Sequence, residues 1–132
     1  MYKILMIIML LLYGCNSTDK LNWQDYNSTD IAKLTSQGKT VFVYYTADWC
    51  VSCGIDERDV LNSKKIKNLF KDKNVVLVKA DHTEYSNPNI KKDFETHNYP
   101  GVPMYIVYSK NTSFKAKLLP DLITIEDIAD NI

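Results

Sequence analysis

The stretch TADWCVSCGIDE, residues 46–57, places two cysteines three apart, Cys50 and Cys53. Before it runs TVFVYYTA (40–47), β-branched or aromatic at every position but Ala47. Both alternating faces of that run are apolar, as in a strand buried at the centre of a sheet. After it, from residue 51 to 61, the pattern turns helical. A cysteine pair at such a strand-to-helix junction admits three readings: it holds a metal, staples a fold, or moves electrons.

Composition narrows the choice. The chain has 132 residues, enough for one domain, with 45% apolar and 24% charged side chains. Sixteen basic and sixteen acidic residues cancel, so no basic field attracts nucleic acid. Three cysteines are too few for the disulfide framework of a small secreted domain. An isolated C-x-x-C also falls short of a structural zinc site, which draws four ligands. His82 and His97 have no zinc-finger spacing to the cysteines. They read as loop and helix-end residues, and no metal is expected.

The third cysteine belongs to a different signal. MYKILMIIMLLLYGC (1–15) has one early cation, Lys3, and an apolar run over 4–13. That run is about ten residues, where a spanning helix needs roughly 20. It reads as the hydrophobic region of an export signal. Its end, LYGC, resembles the bacterial lipobox, although Tyr13 is bulkier than the usual residue there. The resemblance implies a leader at 1–14, lipidation of Cys15, a short tether at 15–20 and a folded domain at 21–132. Each buried lipid methylene adds about 0.8 kcal/mol of anchoring. The expected location is the periplasmic side of a bacterial membrane, outer or inner.

Working outward along the domain, LNWQDY (21–26) reads as a short edge strand. STDIAKLTSQGK (28–39) reads as a capped helix stopped by Gly38. NSKKIKNLFKDK (62–73) is an amphipathic helix with Ile66, Leu69 and Phe70 on one side. VVLVKAD (75–81) is a second buried strand, and NPNIKKDFETHN (87–98) a helix with Pro88 in its first turn. PMYIVYS (103–109) and SFKAKLL (113–119) are predicted to form a hairpin about KNT, and TIEDIADNI (124–132) closes as a helix. The order is β-α-β-α-β-α-β-β-α. It implies an α/β fold with a mixed central sheet flanked by helices.

On this reading Cys50 begins a helix, where unpaired N–H groups favour a thiolate. Cys53 lies one turn on, more shielded, placed to resolve a mixed disulfide. ADWCVSC after a hydrophobic strand, with GVP (101–103) about fifty residues later, resembles the thioredoxin superfamily. Within it the chain is similar to the C-terminal periplasmic domain of the disulfide-interchange reductase DsbD. The resemblance implies a thioredoxin-like fold and a cis peptide between Val102 and Pro103, with the Val102 backbone pairing to an incoming peptide. Trp49 either shields the nucleophile or packs on the helix, and Asp48 caps or solvates the turn.

One departure is evident. The family's buried acid, six positions before the first cysteine, is replaced by Tyr44. Lys79 then loses its expected partner and reads as a snorkelling strand-end lysine. Proton transfer then uses water or another carboxylate, for which Glu57 is the candidate, because Cys50, Cys53 and Glu57 fall on one helical stripe. The alternative is an ordinary solvated acid.

The expected function is a membrane-tethered thiol:disulfide oxidoreductase, a monomer needing no cofactor beyond the Cys50–Cys53 disulfide. By resemblance it acts as a reductant rather than an oxidant. Its expected partners are protein thiols and disulfides and a membrane-embedded electron donor. Two other readings compete. One is a Cu(I) handler using the cysteines with Met104. The other is a non-catalytic binding module in which the pair is a staple.

Overall fold

The computed structural model describes residues 20–132. The leader, Cys15 and residues 16–19 of the tether lie outside the described residues. Five strands form one sheet: β1 (Trp23–Asp25), β2 (Val41–Thr46), β3 (Val76–Asp81), β4 (Met104–Tyr108) and β5 (Lys117–Leu118). Their spatial order is β1-β3-β2-β4-β5. β1 and β2 both run parallel to β3, whereas β4 is antiparallel to β2 and β5 to β4. This is the mixed sheet expected, with β1 as the short edge strand.

β2 lies at the centre and all six of its residues are buried. Strand alternation sends them to two cores. Phe42 and Tyr44 face one side, against Cys53, Leu61, Ile66, Phe70, Tyr105 and Ile128. Val41, Val43 and Tyr45 face the other, against Ile90, Phe94, Met104 and Ile106. The first core is covered by α2 (Val51–Asp56), α3 (Lys64–Asp72) and α5 (Ile125–Ala129). The second is covered by α1 (Ile31–Ser36) and α4 (Pro88–Thr96).

Each helix start carries a side-chain cap that satisfies an orphan N–H. Asp30 accepts from the Lys33 amide at 2.9 Å, and Asn87 from the Asn89 amide at 2.9 Å, with Pro88 next. Thr124 and Asp127 form a reciprocal capping box. Gly38 ends α1 with φ +75°, a conformation glycine adopts without a Cβ penalty. α4 is fastened to the sheet by one carboxylate. Asp93 Oδ2 accepts from the hydroxyls of Tyr26 at 2.6 Å and Tyr45 at 2.7 Å.

Two expectations need correction. The strand over 113–119 shrinks to Lys117–Leu118, and the connection from β4 is not tight. A 3-10 turn at Lys110–Thr112 intervenes, then Ser113 and Phe114 take φ of 54° and 55°. Two successive left-handed residues turn the chain out of the ladder. The helical stretch over 51–61 is also not one α-helix. From Glu57 to Leu61 it widens into a π-helix, with the Asn62 amide bonded to the Glu57 carbonyl at 2.9 Å. Such π turns often sit at functional sites.

Candidate active site

Cys50 and Cys53 are joined as a disulfide with Cα atoms 5.3 Å apart. Cys50 is the N-cap of α2 and half-buried, whereas Cys53 is only 1% exposed. The Cys53 amide donates to Cys50 Sγ at 3.2 Å, and the Ser52 hydroxyl lies 3.6 Å from the same sulfur. With this backbone kept on reduction, that amide would face the Cys50 sulfur. A donor so directed stabilises the charged sulfur without any appeal to a long helix dipole.

Behind the disulfide opens a cavity of about 270 Å³ lined by Cys50, Cys53, Glu57, Lys79, Asp48 and Asp81, among others. Larger hollows, such as one of about 660 Å³ beside Tyr99 and Leu119, are lined by other residues. Glu57 thus shares one cavity with both sulfurs. Lys79 has a partner after all: its Nζ lies 4.0 Å from Glu57 Oε1 and 5.2 Å from the Trp23 ring centroid. The reason is register. Lys79 pairs across the sheet with Tyr44, so its side chain rises on the face that α2 covers. Both groups are about 37% exposed, so the pair contributes about 0–1 kcal/mol. Its consequence is where the charges sit.

Val102–Pro103 is cis. Val102 packs against both cores, and Cys50 against the one that contains Cys53. Gly101, with φ +154°, takes a conformation that side chains disfavour as the loop enters β4. Met104 is fully buried on the opposite face from Cys53. That removes it as a third ligand to a metal on the thiols. Among the described residues no group of three or more His, Cys, Asp or Glu side chains is placed to hold a metal.

Trp49 is tied to the loop after β3. Its ring stacks on Tyr85 at 5.1 Å and 5°, and its Nε1 donates to the Thr83 carbonyl at 3.1 Å. Asp48 does not cap α2; its amide donates to Thr83 Oγ1 at 2.9 Å, and the cap is Cys50 itself. The loop after β3 therefore holds the residues leading into the cysteines. No local sequence pattern marks this loop as a partner of Trp49.

His82 anchors that loop. Its amide donates to the Thr46 carbonyl at 2.7 Å, and its ring meets Tyr85 and Phe94 edge-on. Nδ1 is buried without a hydrogen-bond partner among the described residues. Burial, and secondarily the charge of Lys91, hold its pKa below the usual 6.5, with Asp81 opposing. Stability is then complete above about pH 6.5, where both states are neutral. It declines as pH falls toward the lower folded value, because the unfolded chain takes the proton first. The melting temperature should drop between about pH 7 and pH 5 more in the wild type than in His82→Phe. Equal slopes would show that His82 does not titrate this way.

Three more residues adjoin the cysteines: Tyr44, read from the sequence only as the loss of an acid, and Tyr105 and Asp56, which sequence reasoning missed. Tyr44 donates its hydroxyl to the Cys53 carbonyl at 3.3 Å. Tyr105 stacks on Tyr44 and donates to Asp56 Oδ2. Asp56 lies three residues after Cys53, so its helical spacing was visible; its tyrosine partner on β4 was not. Burial raises the Asp56 carboxyl above the usual 3.8, the Tyr105 hydrogen bond opposing.

The fold has relatives of known structure. It superposes on the oxidised C-terminal domain of Neisseria meningitidis DsbD with TM-score 0.57 at 18% identity, over 76% of this chain and 84% of that one. A thioredoxin from Thermus thermophilus matches with TM-score 0.56 at 18% identity, over 78% and 75%. A DsbH oxidoreductase matches with TM-score 0.54 at 17% identity, over 76% and 71%. At such identities the likeness establishes the fold. No curated protein matches the sequence. A family model described as thioredoxin-like matches residues 22–110. With that match, the mixed sheet and the Cys-x-x-Cys disulfide at the head of α2, the chain belongs to the thioredoxin-like family, with a fold of the disulfide-oxidoreductase type.

Proposed function

We propose that this chain is a membrane-tethered periplasmic thiol:disulfide oxidoreductase that reduces protein disulfides through Cys50 and Cys53. The single observation that carries the exchange chemistry is the asymmetric pair: a half-buried Cys50 sulfur with an amide aimed at it, and a buried Cys53 beside it. The tether and location rest on the leader and Cys15. No described helix is long and apolar enough to cross a membrane.

Cys50 thiolate attacks one sulfur of a substrate disulfide; the other substrate sulfur leaves as a thiolate and takes a proton from water. Cys53 then loses its proton and attacks Cys50 Sγ, expelling the second substrate thiolate. Two electrons pass from the dithiol to the substrate, and the chain ends in the disulfide form. Glu57 receives the Cys53 proton through the cavity they share, and Lys79 holds the carboxylate there. Val102, before the cis Pro103, offers its backbone to an extended substrate segment. A membrane-embedded donor returns the electrons. The chain acts as a monomer with no cofactor beyond the disulfide.

The test is the reduction potential, measured by equilibrating the purified domain with thioredoxin or glutathione buffers. A reductant is expected to lie near thioredoxin, at about −270 mV, rather than near the strong oxidant DsbA at about −120 mV. A value on the oxidant side would reverse the proposed direction. Fractionation of cells carrying wild type and Cys15→Ala tests the tether. Wild type should sediment with membranes and the variant should not.

A further inference from the structure

Three register partners form a row across the sheet beneath α2: Lys79 on β3, Tyr44 on β2 and Tyr105 on β4. Tyr44 and Tyr105 are both 0% exposed, and their rings stack at 5.2 Å with planes 4° apart. Each donates its hydroxyl to the helix above. Tyr44 reaches the Cys53 carbonyl at 3.3 Å, and Tyr105 reaches the Asp56 carboxylate. Cys53 and Asp56 are i and i+3, neighbours on one helical face. Both ends of the same turn are therefore tied to adjacent strands.

The need for such a tie follows from the exchange chemistry, on which this inference rests. When Cys50 attacks a substrate, Cys53 loses its covalent bond to Cys50. It must keep its aim at that sulfur until it resolves the mixed disulfide. The helix alone holds it poorly, since α2 has six residues and widens into the π turn at Glu57. A misplacement of about 1 Å in a reacting group costs on the order of a hundredfold. We propose that Tyr44 and Tyr105 are positioning residues of the resolving step: their hydroxyls clamp the Cys53 turn to the sheet and keep its sulfur within reach of Cys50. Their part is geometric. Burial, above all, raises both hydroxyls far beyond the neutral range, so neither serves as a base.

Glutathione disulfide separates the two steps. The reduced chain releases one glutathione when Cys50 attacks and a second when Cys53 resolves. Tyr44→Phe and Tyr105→Phe keep both rings and remove only the hydroxyls. Each should release the first glutathione within about twofold of wild type and the second about tenfold more slowly. Asp56→Asn leaves Tyr105 an oxygen acceptor and should resolve near the wild-type rate, whereas Asp56→Ala should resolve as slowly as Tyr105→Phe. Wild-type resolution in the two phenylalanine variants overturns the clamp. So does equal slowing of both releases, which would mean that the hydroxyls support packing rather than aim. Asp56→Asn as slow as Asp56→Ala also overturns it, by making the charge the active feature. A wild-type chain that never opens glutathione disulfide overturns the exchange reading itself, and the clamp with it.

Discussion

Cys50→Ser is expected to lower disulfide exchange on the order of a thousandfold or more, because the thiolate is the nucleophile and a serine hydroxyl stays protonated. Cys53→Ser should behave differently. Cys50 still has its exposure and still receives the residue 53 amide, so the first attack survives. The resolving sulfur is gone, so the chain stalls as a mixed disulfide. Denaturing gels without reductant should show Cys53→Ser joined to partner proteins that reductant releases, and Cys50→Ser free of them. The captured proteins would identify the substrates. Capture by Cys50→Ser alone would exchange the two roles. Capture by neither, with stability lost in both, would favour the staple over the carrier.

The largest loss of stability is expected at Phe42. It lies on the central strand β2 with 0% exposure, among the rings of Phe70 at 5.2 Å, Tyr105 at 6.1 Å and Trp23 at 6.3 Å. Phe42→Ala removes the transfer free energy of the ring and leaves a cavity that three aromatic neighbours cannot collapse into. The expected cost is about 3–5 kcal/mol, against a total of roughly 5–15 kcal/mol for a domain. The midpoint of urea unfolding should fall at an unchanged slope. Leu122→Ala, at a residue 83% exposed, should stay within about 0.5 kcal/mol of wild type. A Phe42→Ala loss below about 1 kcal/mol would mean that the core repacks around the gap.

The chemistry of the cysteine pair was legible because it is local. Cys50 and Cys53 are three residues apart, and the hydrophobic run before them and the helical run after them are contiguous in the chain. The caps at Asp30, Asn87 and Thr124 act within one turn, so their spacing is enough to find them. Gly38 and Pro88 impose their own backbone geometry. The cis peptide at Val102–Pro103 was legible by resemblance, since GVP matches a family pattern.

Other features depend on residues far apart in sequence. Tyr44 looked like the loss of an acid; strand register makes it the neighbour of Lys79 on one side and Tyr105 on the other. Lys79 looked unpartnered until the π turn and the sheet brought Glu57 to 4.0 Å from it. Trp49 meets Tyr85, thirty-six positions on, through a loop with no pattern of its own. The strand over 113–119 failed because two left-handed residues interrupt it, and hydrophobic alternation does not encode φ.

Local order along the chain was enough for most of the strands and helices, for their caps and for which two sulfurs can bond. Tertiary structure alone decided which charges and hydroxyls surround those sulfurs. The physical reason is range: periodicity, capping and turn chemistry act over a few residues, whereas register and helix placement are set by how the whole chain fills two cores on either side of β2.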